Sequence, residues 1–225
     1  MTDATAPSPV SAEHTLAEIA VALPGATRIF RHHKLDYCCG GRVTLADAAA
    51  DRGIDLARLL SELAAVAAAA EPHARPEGTA DLIASIETRF HAVHRQELPE
   101  LIRLARRVEA VHKANPAVPR GMTGLLETMA EELEEHMQKE EQVLFPLMRR
   151  GGNPAIAAPI AAMLAEHDDH GARLRELEAL TGDFTAPEDA CATWRALYAG
   201  ARKLSDDLME HIHTENNVLF PRFAG

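Results

Sequence analysis

Two stretches of this chain repeat one pattern of histidine, glutamate and apolar residues. The segment HMQKEEQVLFP, residues 136–146, matches HIHTENNVLFP, residues 211–221, at six of eleven positions. In both segments a histidine precedes a glutamate by four residues, so the two side chains share one face of a helix. Imidazole and carboxylate groups held side by side next to apolar residues are suited to binding metal ions.

A second pair of segments repeats at nearly the same offset along the chain. HAVHRQELPEL, residues 91–101, matches HDDHGARLREL, residues 167–177, in two histidines, two leucines and a glutamate. The offset is 76 residues for this pair and 75 for the first, which indicates approximate two-fold internal symmetry. One histidine from each segment, together with the two glutamates, gives the predicted metal ligands: His91, His136, His167, His211, Glu140 and Glu215.

Four imidazoles and two carboxylates in a helical bundle would hold two metal ions. Each ion would take two histidines, and both carboxylates would bridge the pair. This mixed nitrogen and oxygen set suits iron or manganese, whereas copper or a closed structural zinc site fits less well without thiolates. A solitary His–Glu pair on a helix would be an ordinary solvated contact. Its recurrence on an equivalent helix favours the metal interpretation.

Other residues near these segments are expected to lie outside the ligand set. His94 and His170 are also duplicated, three residues after predicted ligands, and are expected either to surround the site or to be exposed. His213 has no counterpart in the repeat. Glu141 has Asn216 as its counterpart, so it is predicted to contribute little to metal binding.

Long helical patterns position these residues. They cover about 79–113, 121–148, 155–180 and 187–220, with Pro187 as a first-turn proline, and short breaks separate them. The chain has 42 alanines and only 4% aromatic residues, which favours helix and excludes an all-β fold. The sequence therefore predicts an all-α protein with an antiparallel four-helix bundle.

A small helical domain is predicted before the bundle. Residues 1–12 read as a disordered lead-in, 13–70 as the small domain, 71–79 as a linker and 80–225 as the bundle. Within the small domain Thr44 is predicted to cap a helix over residues 45–52, which Gly53 ends.

Charge and cysteine content narrow the possible partners and compartment. The formal net charge is −11 and there is no basic tract, which argues against binding to nucleic acid or an anionic membrane surface. No apolar stretch approaches the roughly 20 residues of a membrane span, and the N-terminus lacks the pattern of a secretory signal. Three cysteines, two of them adjacent, are not a disulfide framework. A reducing cytoplasm is the expected compartment.

The adjacent cysteines Cys38 and Cys39, followed by two glycines, allow two interpretations. They are either small turn-and-core residues or functional thiols. In the functional interpretation, the nearby basic residues 31–34 lower a thiol pKa, and the thiols bind iron or exchange electrons. Cys191 is expected to be an ordinary helix residue.

Several motifs carry a family resemblance. Residues 80–221 resemble a hemerythrin-type cation-binding domain. The further motifs are DYCCGG at 36–41, ELPEL at 97–101, VPRG at 118–121 and ENNVLFP at 215–221. With them, nearly the whole chain is similar to the repair-of-iron-centres (RIC) family, which are di-iron proteins for iron–sulfur cluster repair.

The resemblance implies a cofactor and a function. By motif, the family's ligands to two non-haem iron ions fall on the six residues above, with Glu140 and Glu215 as bridges beside an oxo or hydroxo group. His112 matches a further family histidine and is a weaker candidate ligand. The doublet Cys38 and Cys39 matches the family signature and supplies candidate thiols for transfer or redox chemistry.

The resemblance further implies a cytoplasmic stress protein that restores iron–sulfur proteins damaged by nitric oxide or oxidation, through iron delivery or nitric oxide handling. It leaves open a homodimer, and it does not decide whether the protein is an enzyme. One alternative is a carrier or sensor of nitric oxide or dioxygen. Another is iron storage in a ferritin-like assembly.

Overall fold

The computed structural model describes residues 10–23, 25–69 and 78–223. These ranges are helical and contain no β-strand beyond one antiparallel bridge between Thr15 and Thr44, which confirms the all-α prediction. The chain groups into two compact units, Met1–Arg75 with Ile212–Pro221 and Pro76–His211 with Arg222–Gly225. Residues 1–9 of the predicted lead-in and 71–77 of the predicted linker lie outside the described residues.

The N-terminal unit contains four helices. They are α1 (Leu16–Ala22), α2 (Ala26–His32), α3 (Leu45–Arg52) and α4 (Leu56–Ala69). Thr44 accepts a hydrogen bond from Asp47 N–H, and Gly53 ends α3 in the left-handed conformation, as predicted. The apolar faces of these helices are buried, and the unit's core includes Leu16, Phe30, Tyr37, Leu45, Leu59 and Leu63.

The remaining helices correspond to the four long patterns. They are α5 (Thr79–Ile86), α6 (Ala92–Val111), α7 (Met122–Lys139), α8 (Phe145–Arg149), α9 (Ala157–Thr181) and α10 (Ala192–Thr214). A π-helical turn joins α5 to α6, another joins α7 to α8, and a third follows α10. Within the described ranges, no helix combines the length and the apolarity that crossing a bilayer requires.

The prediction that the fourth helix begins near Pro187 is wrong. After α9 the chain reverses through three consecutive residues with positive φ: Gly182, Asp183 and Phe184. The loop is then held by Arg195, whose side chain donates to the carbonyl oxygens of Glu188 and Ala190. Residues 187–190 therefore belong to the loop, and α10 starts at Ala192.

Candidate metal centre

The six predicted ligands form two groups that share both glutamates. One group is His91, Glu140, His211 and Glu215, and the other is His136, Glu140, His167 and Glu215. Within each group the ligand atoms all lie within 4.8 Å of one another. Each of the six residues is at most 1% exposed. Glu140 and Glu215 are therefore common to both groups.

The distances between donor atoms fit metal coordination. His91 Nε2 lies 3.2 Å from His211 Nε2, and His136 Nε2 lies 3.1 Å from His167 Nε2. Two imidazole nitrogens on one ion, each at about 2.0–2.1 Å, are about 3 Å apart when they subtend nearly a right angle. Glu140 Oε2 lies 3.3 Å from His91 Nε2 and 3.5 Å from His136 Nε2, so a single oxygen is close to both pairs.

Burial supports the same conclusion. Removing two carboxylates from water costs several kcal/mol each unless cations compensate their charge. Glu140 and Glu215 are both fully buried, and the histidines beside them are neutral when they act as ligands. Two divalent cations would more than offset the charge of the two carboxylates, so the residues present fit a two-metal site.

Two further carboxylates hold two of these histidine rings in position by accepting hydrogen bonds from their Nδ1 atoms. His91 Nδ1 donates to Glu141 Oε1 at 2.8 Å, and His136 Nδ1 donates to Glu166 Oε2, also at 2.8 Å. Each bond sets the tautomer, so that Nε2 presents its lone pair to the site. The sequence expectation that Glu141 contributes little did not include its contact with a histidine 50 residues away, and this contact favours a supporting role instead.

Cations hold these outer carboxylates in turn. Arg95 donates to both oxygens of Glu141, and Lys139 donates to Glu166 at 2.7 Å. Burial raises the pKa of Glu141, but the hydrogen bonds from Arg95 and His91 outweigh it and leave that pKa below its ordinary value. Glu141 thus stays ionised and is a strong acceptor for the His91 ring.

A π-helical turn starts or ends at three of the predicted ligands. The turns are Glu87–His91, Glu140–Leu144 and Glu215–Leu219. In each, the first residue's carbonyl accepts from the N–H five residues later, rather than four as in an α-helix. Each turn inserts one residue into the helix, and such turns are frequent at functional sites. The two repeated glutamates therefore share a local backbone geometry as well as a sequence pattern.

The duplicated histidines His94 and His170 lie beside two of the predicted ligands. Their rings are 5.4 Å from His211 and 5.0 Å from His136 respectively, and both are buried, so the exposed alternative is wrong. His213 belongs to neither ligand group. Its ring packs edge-on against Tyr37, and its Nδ1 lies 2.9 Å from the Asn217 side-chain nitrogen.

The structure brings Cys38 and Cys39 together in one tight turn. Their sulfur atoms are 3.7 Å apart, and Cys38 is buried while Cys39 is partly exposed. The expectation of a lowered thiol pKa is wrong for Cys38. Its hydrogen bond with Cys39, its burial and the neighbouring Asp36 carboxylate all raise its pKa well above the ordinary value. These effects come from contacts inside the turn, which the basic residues nearby in sequence do not reveal.

His112 does not belong to either ligand group. It follows α6, and its Nε2 lies 3.2 Å from the sulfur of Cys191. Cys191 is exposed and directly precedes α10, so it is not an ordinary residue inside a helix. Hydrogen bonds from the Trp194 backbone and from His112 lower the pKa of Cys191 to about 7. Sequence reasoning missed this pair, because 79 residues separate its members.

Comparison with known proteins identifies the class that this fold and site define. The Hemerythrin HHE cation binding domain matches residues 82–223, which contain all six predicted ligands. A separate domain of unknown function, ScdA_N (DUF542), matches residues 12–67. The long helices and the buried histidine and glutamate groups thus form a hemerythrin-type metal-binding domain.

Full-length relatives narrow the class further. The iron-sulfur cluster repair protein YtfE of Yersinia pseudotuberculosis serotype IB (strain PB1/+) is 46% identical over 212 residues, which cover 92% of this chain and 95% of that protein. The protein of the same name from Musicola paradisiaca (strain Ech703) is 47% identical over 212 residues, which cover 93% of this chain and 96% of that protein. The chain belongs to this family of hemerythrin-like iron–sulfur cluster repair proteins.

Proposed function

We propose that this chain is a di-iron protein that repairs iron–sulfur clusters damaged by nitric oxide or oxidative stress. Its clients would be damaged iron–sulfur proteins in the cytoplasm. The observation that carries the proposal is the sharing of Glu140 and Glu215 by two buried ligand groups. The name of the YtfE relatives supports the client class.

Different histidines of the chain would bind each of the two iron ions. His91 and His211 would bind one ion, His136 and His167 the other, and Glu140 and Glu215 would link both. When bound, such a pair of ions supplies redox chemistry and coordination of small ligands. Glu141 and Glu166 orient His91 and His136, so the ligand set is preorganised.

The thiols of Cys38 and Cys39 would act in transfer. Thiolate is a ligand for iron and for iron–sulfur clusters, whereas the two histidine and glutamate groups offer nitrogen and oxygen donors. A site that passes iron to a damaged cluster benefits from sulfur ligands of the type that the cluster itself uses. The doublet is therefore the proposed point of contact with the client's metal.

Recovery of a damaged client tests the function directly. An iron–sulfur dehydratase inactivated with nitric oxide is mixed anaerobically with the iron-loaded full chain, and its activity is followed with time. We expect recovery with the wild type and none with Glu140→Leu, which loses a shared ligand. The double variant Cys38→Ser/Cys39→Ser, at matched iron loading, should keep its iron but fail to restore the client, since serine supplies no thiolate at neutral pH.

Client recovery and the mass in solution together separate this function from its two alternatives. A carrier or sensor would bind nitric oxide at the bundle, leave the client inactive and be indifferent to the cysteine changes. An iron store of the ferritin kind would form a large symmetric shell, which the mass in solution would reveal. Equal recovery with the wild type and the double serine variant would refute the transfer role of the doublet.

A further inference from the structure

The turn that carries Cys38 and Cys39 has the shape of a metal site of its own. Asp36, Cys38 and Cys39 bring three ligand atoms within 4.8 Å of one another. Two sulfurs bound tetrahedrally to one ion, each at about 2.3 Å, are about 3.8 Å apart. The two cysteine sulfurs here are 3.7 Å apart. The thiols are thus already spaced as they would be on a single ion.

Asp36 lies at the right place to complete the set. Its Oδ1 is 3.3 Å from the Cys38 sulfur and accepts a hydrogen bond from Cys39 N–H at 2.9 Å. The backbone bond fixes the carboxylate over the two sulfurs. One carboxylate and two thiols form a mixed set that favours thiophilic divalent ions such as Fe²⁺ or Zn²⁺ over Mg²⁺ or Ca²⁺.

Close backbone packing holds the turn in shape. At Gly41 a Cβ atom would lie 2.5 Å from the Tyr37 carbonyl oxygen, so only glycine lets the chain fold back this closely. Tyr37 itself is fully buried, and its hydroxyl accepts a hydrogen bond from Arg31 at 3.0 Å. The cysteines therefore follow an anchored residue, and their spacing is set by the fold of the N-terminal unit.

Two asparagines that follow Glu215 donate hydrogen bonds to the same turn. Asn216 donates its side-chain N–H to the carbonyl oxygen of Cys38 at 3.0 Å, and Asn217 donates to that of Tyr37 at 3.3 Å. In the first repeat, the position equivalent to Asn216 is Glu141, which supports His91. The same position thus supports a histidine ligand in one repeat and the cysteine turn in the other.

We infer that Asp36, Cys38 and Cys39 form a third metal site, separate from the two histidine groups, which takes a single thiophilic divalent cation. The identity of the ion as Fe²⁺ in transit to a client rests on the proposed function. The existence of the site does not depend on that function. Three protein ligands leave one tetrahedral position for a ligand from the client, and Cys39, the partly exposed member, is on the accessible side.

Cobalt substitution tests the site without any repair assay. Co²⁺ is added to the reduced full chain after the bundle has been loaded with iron, and sulfur-to-cobalt charge-transfer absorption is recorded. All measurements use a Cys191→Ser background, which removes the exposed cysteine that lies outside the turn. We expect the absorption to saturate at about one cobalt per chain, and Cys38→Ser/Cys39→Ser to abolish it while the iron held by the histidine and glutamate groups stays unchanged.

Asp36→Asn tests the third ligand and keeps both thiols. The asparagine oxygen can still accept from Cys39 N–H, so the turn should fold, but cobalt affinity should fall at least about tenfold because an anionic ligand is lost. No charge-transfer absorption in the background protein, or absorption that survives the double serine change, would overturn the inference. Unchanged affinity in Asp36→Asn would remove Asp36 from the site. Failed client recovery with a normal cobalt titration would instead refute only the proposed function.

Discussion

Replacing Glu141 tests whether the carboxylates behind the histidines support the metal centre. Glu141 Oε1 lies 2.8 Å from His91 Nδ1 and 2.7 Å from Arg95 Nη1, so Glu141→Ala removes the acceptor that orients the His91 ring. Loss of such an outer partner weakens metal binding by about 10- to 100-fold. That range corresponds to about 1.4 to 2.7 kcal/mol of binding free energy at 25 °C.

The assay is competition between the full-length apoprotein and a chelator of known affinity, under anaerobic conditions with Fe²⁺. Glu141→Gln keeps an oxygen that can accept from His91 but loses the charge, so its affinity should lie between those of the wild type and Glu141→Ala. Glu131→Ala is the matched control, because Glu131 is an exposed glutamate on α7, the helix that leads into the π-helical turn of Glu141. Equal affinities for Glu141→Ala and Glu131→Ala would refute the supporting role.

Three further predictions follow from other contacts. Glu166→Ala should weaken the site of His136 and His167 by a similar factor, and competition titrations in which it matched Glu131→Ala would contradict this. The alkylation rate of Cys191 should rise with pH around a midpoint near 7, since only the thiolate reacts. His112→Ala should move that midpoint upward but short of the ordinary value of 9.0, because the larger contribution comes from the Trp194 backbone, and an unmoved midpoint would exclude the pair. Gly41→Ala should lower the free energy of unfolding in urea by about 1–3 kcal/mol, because its Cβ meets the Tyr37 carbonyl. The control Gly124→Ala, in open space within α7, should raise it by about 0.5–1 kcal/mol, and stabilisation by both changes would contradict the packing argument.

The repeat predicted which six side chains lie close together, because its signal is local. A histidine and a glutamate four residues apart share a helix face whatever the rest of the chain does, and duplication marked the equivalent helices. The helices were predicted within a few residues for the same reason, since each carries its own apolar period. The exception is α10, which follows a loop where Asp183 and Phe184 adopt a left-handed conformation that their residue types do not predict.

The remaining features depend on distant contacts or on backbone geometry. In the sequence, Glu141 has the character of a surface residue. It contacts His91 only in the folded bundle. The pairing of His112 with Cys191 likewise needs the folded bundle. The π-helical turns at Glu140 and Glu215 differ from α-helix by one residue in their hydrogen bonding, and amino-acid preference does not encode that difference.

Metal content tests the central claim most directly. Full-length protein is purified anaerobically, its metals are measured by mass spectrometry, and its iron is examined by Mössbauer spectroscopy. The account predicts about two irons per chain with the signature of a magnetically coupled pair, and loss of that signature in both Glu140→Leu and Glu215→Leu, because each glutamate belongs to both ligand groups. One tightly held zinc and no iron, or an intact iron pair in either variant, would contradict it.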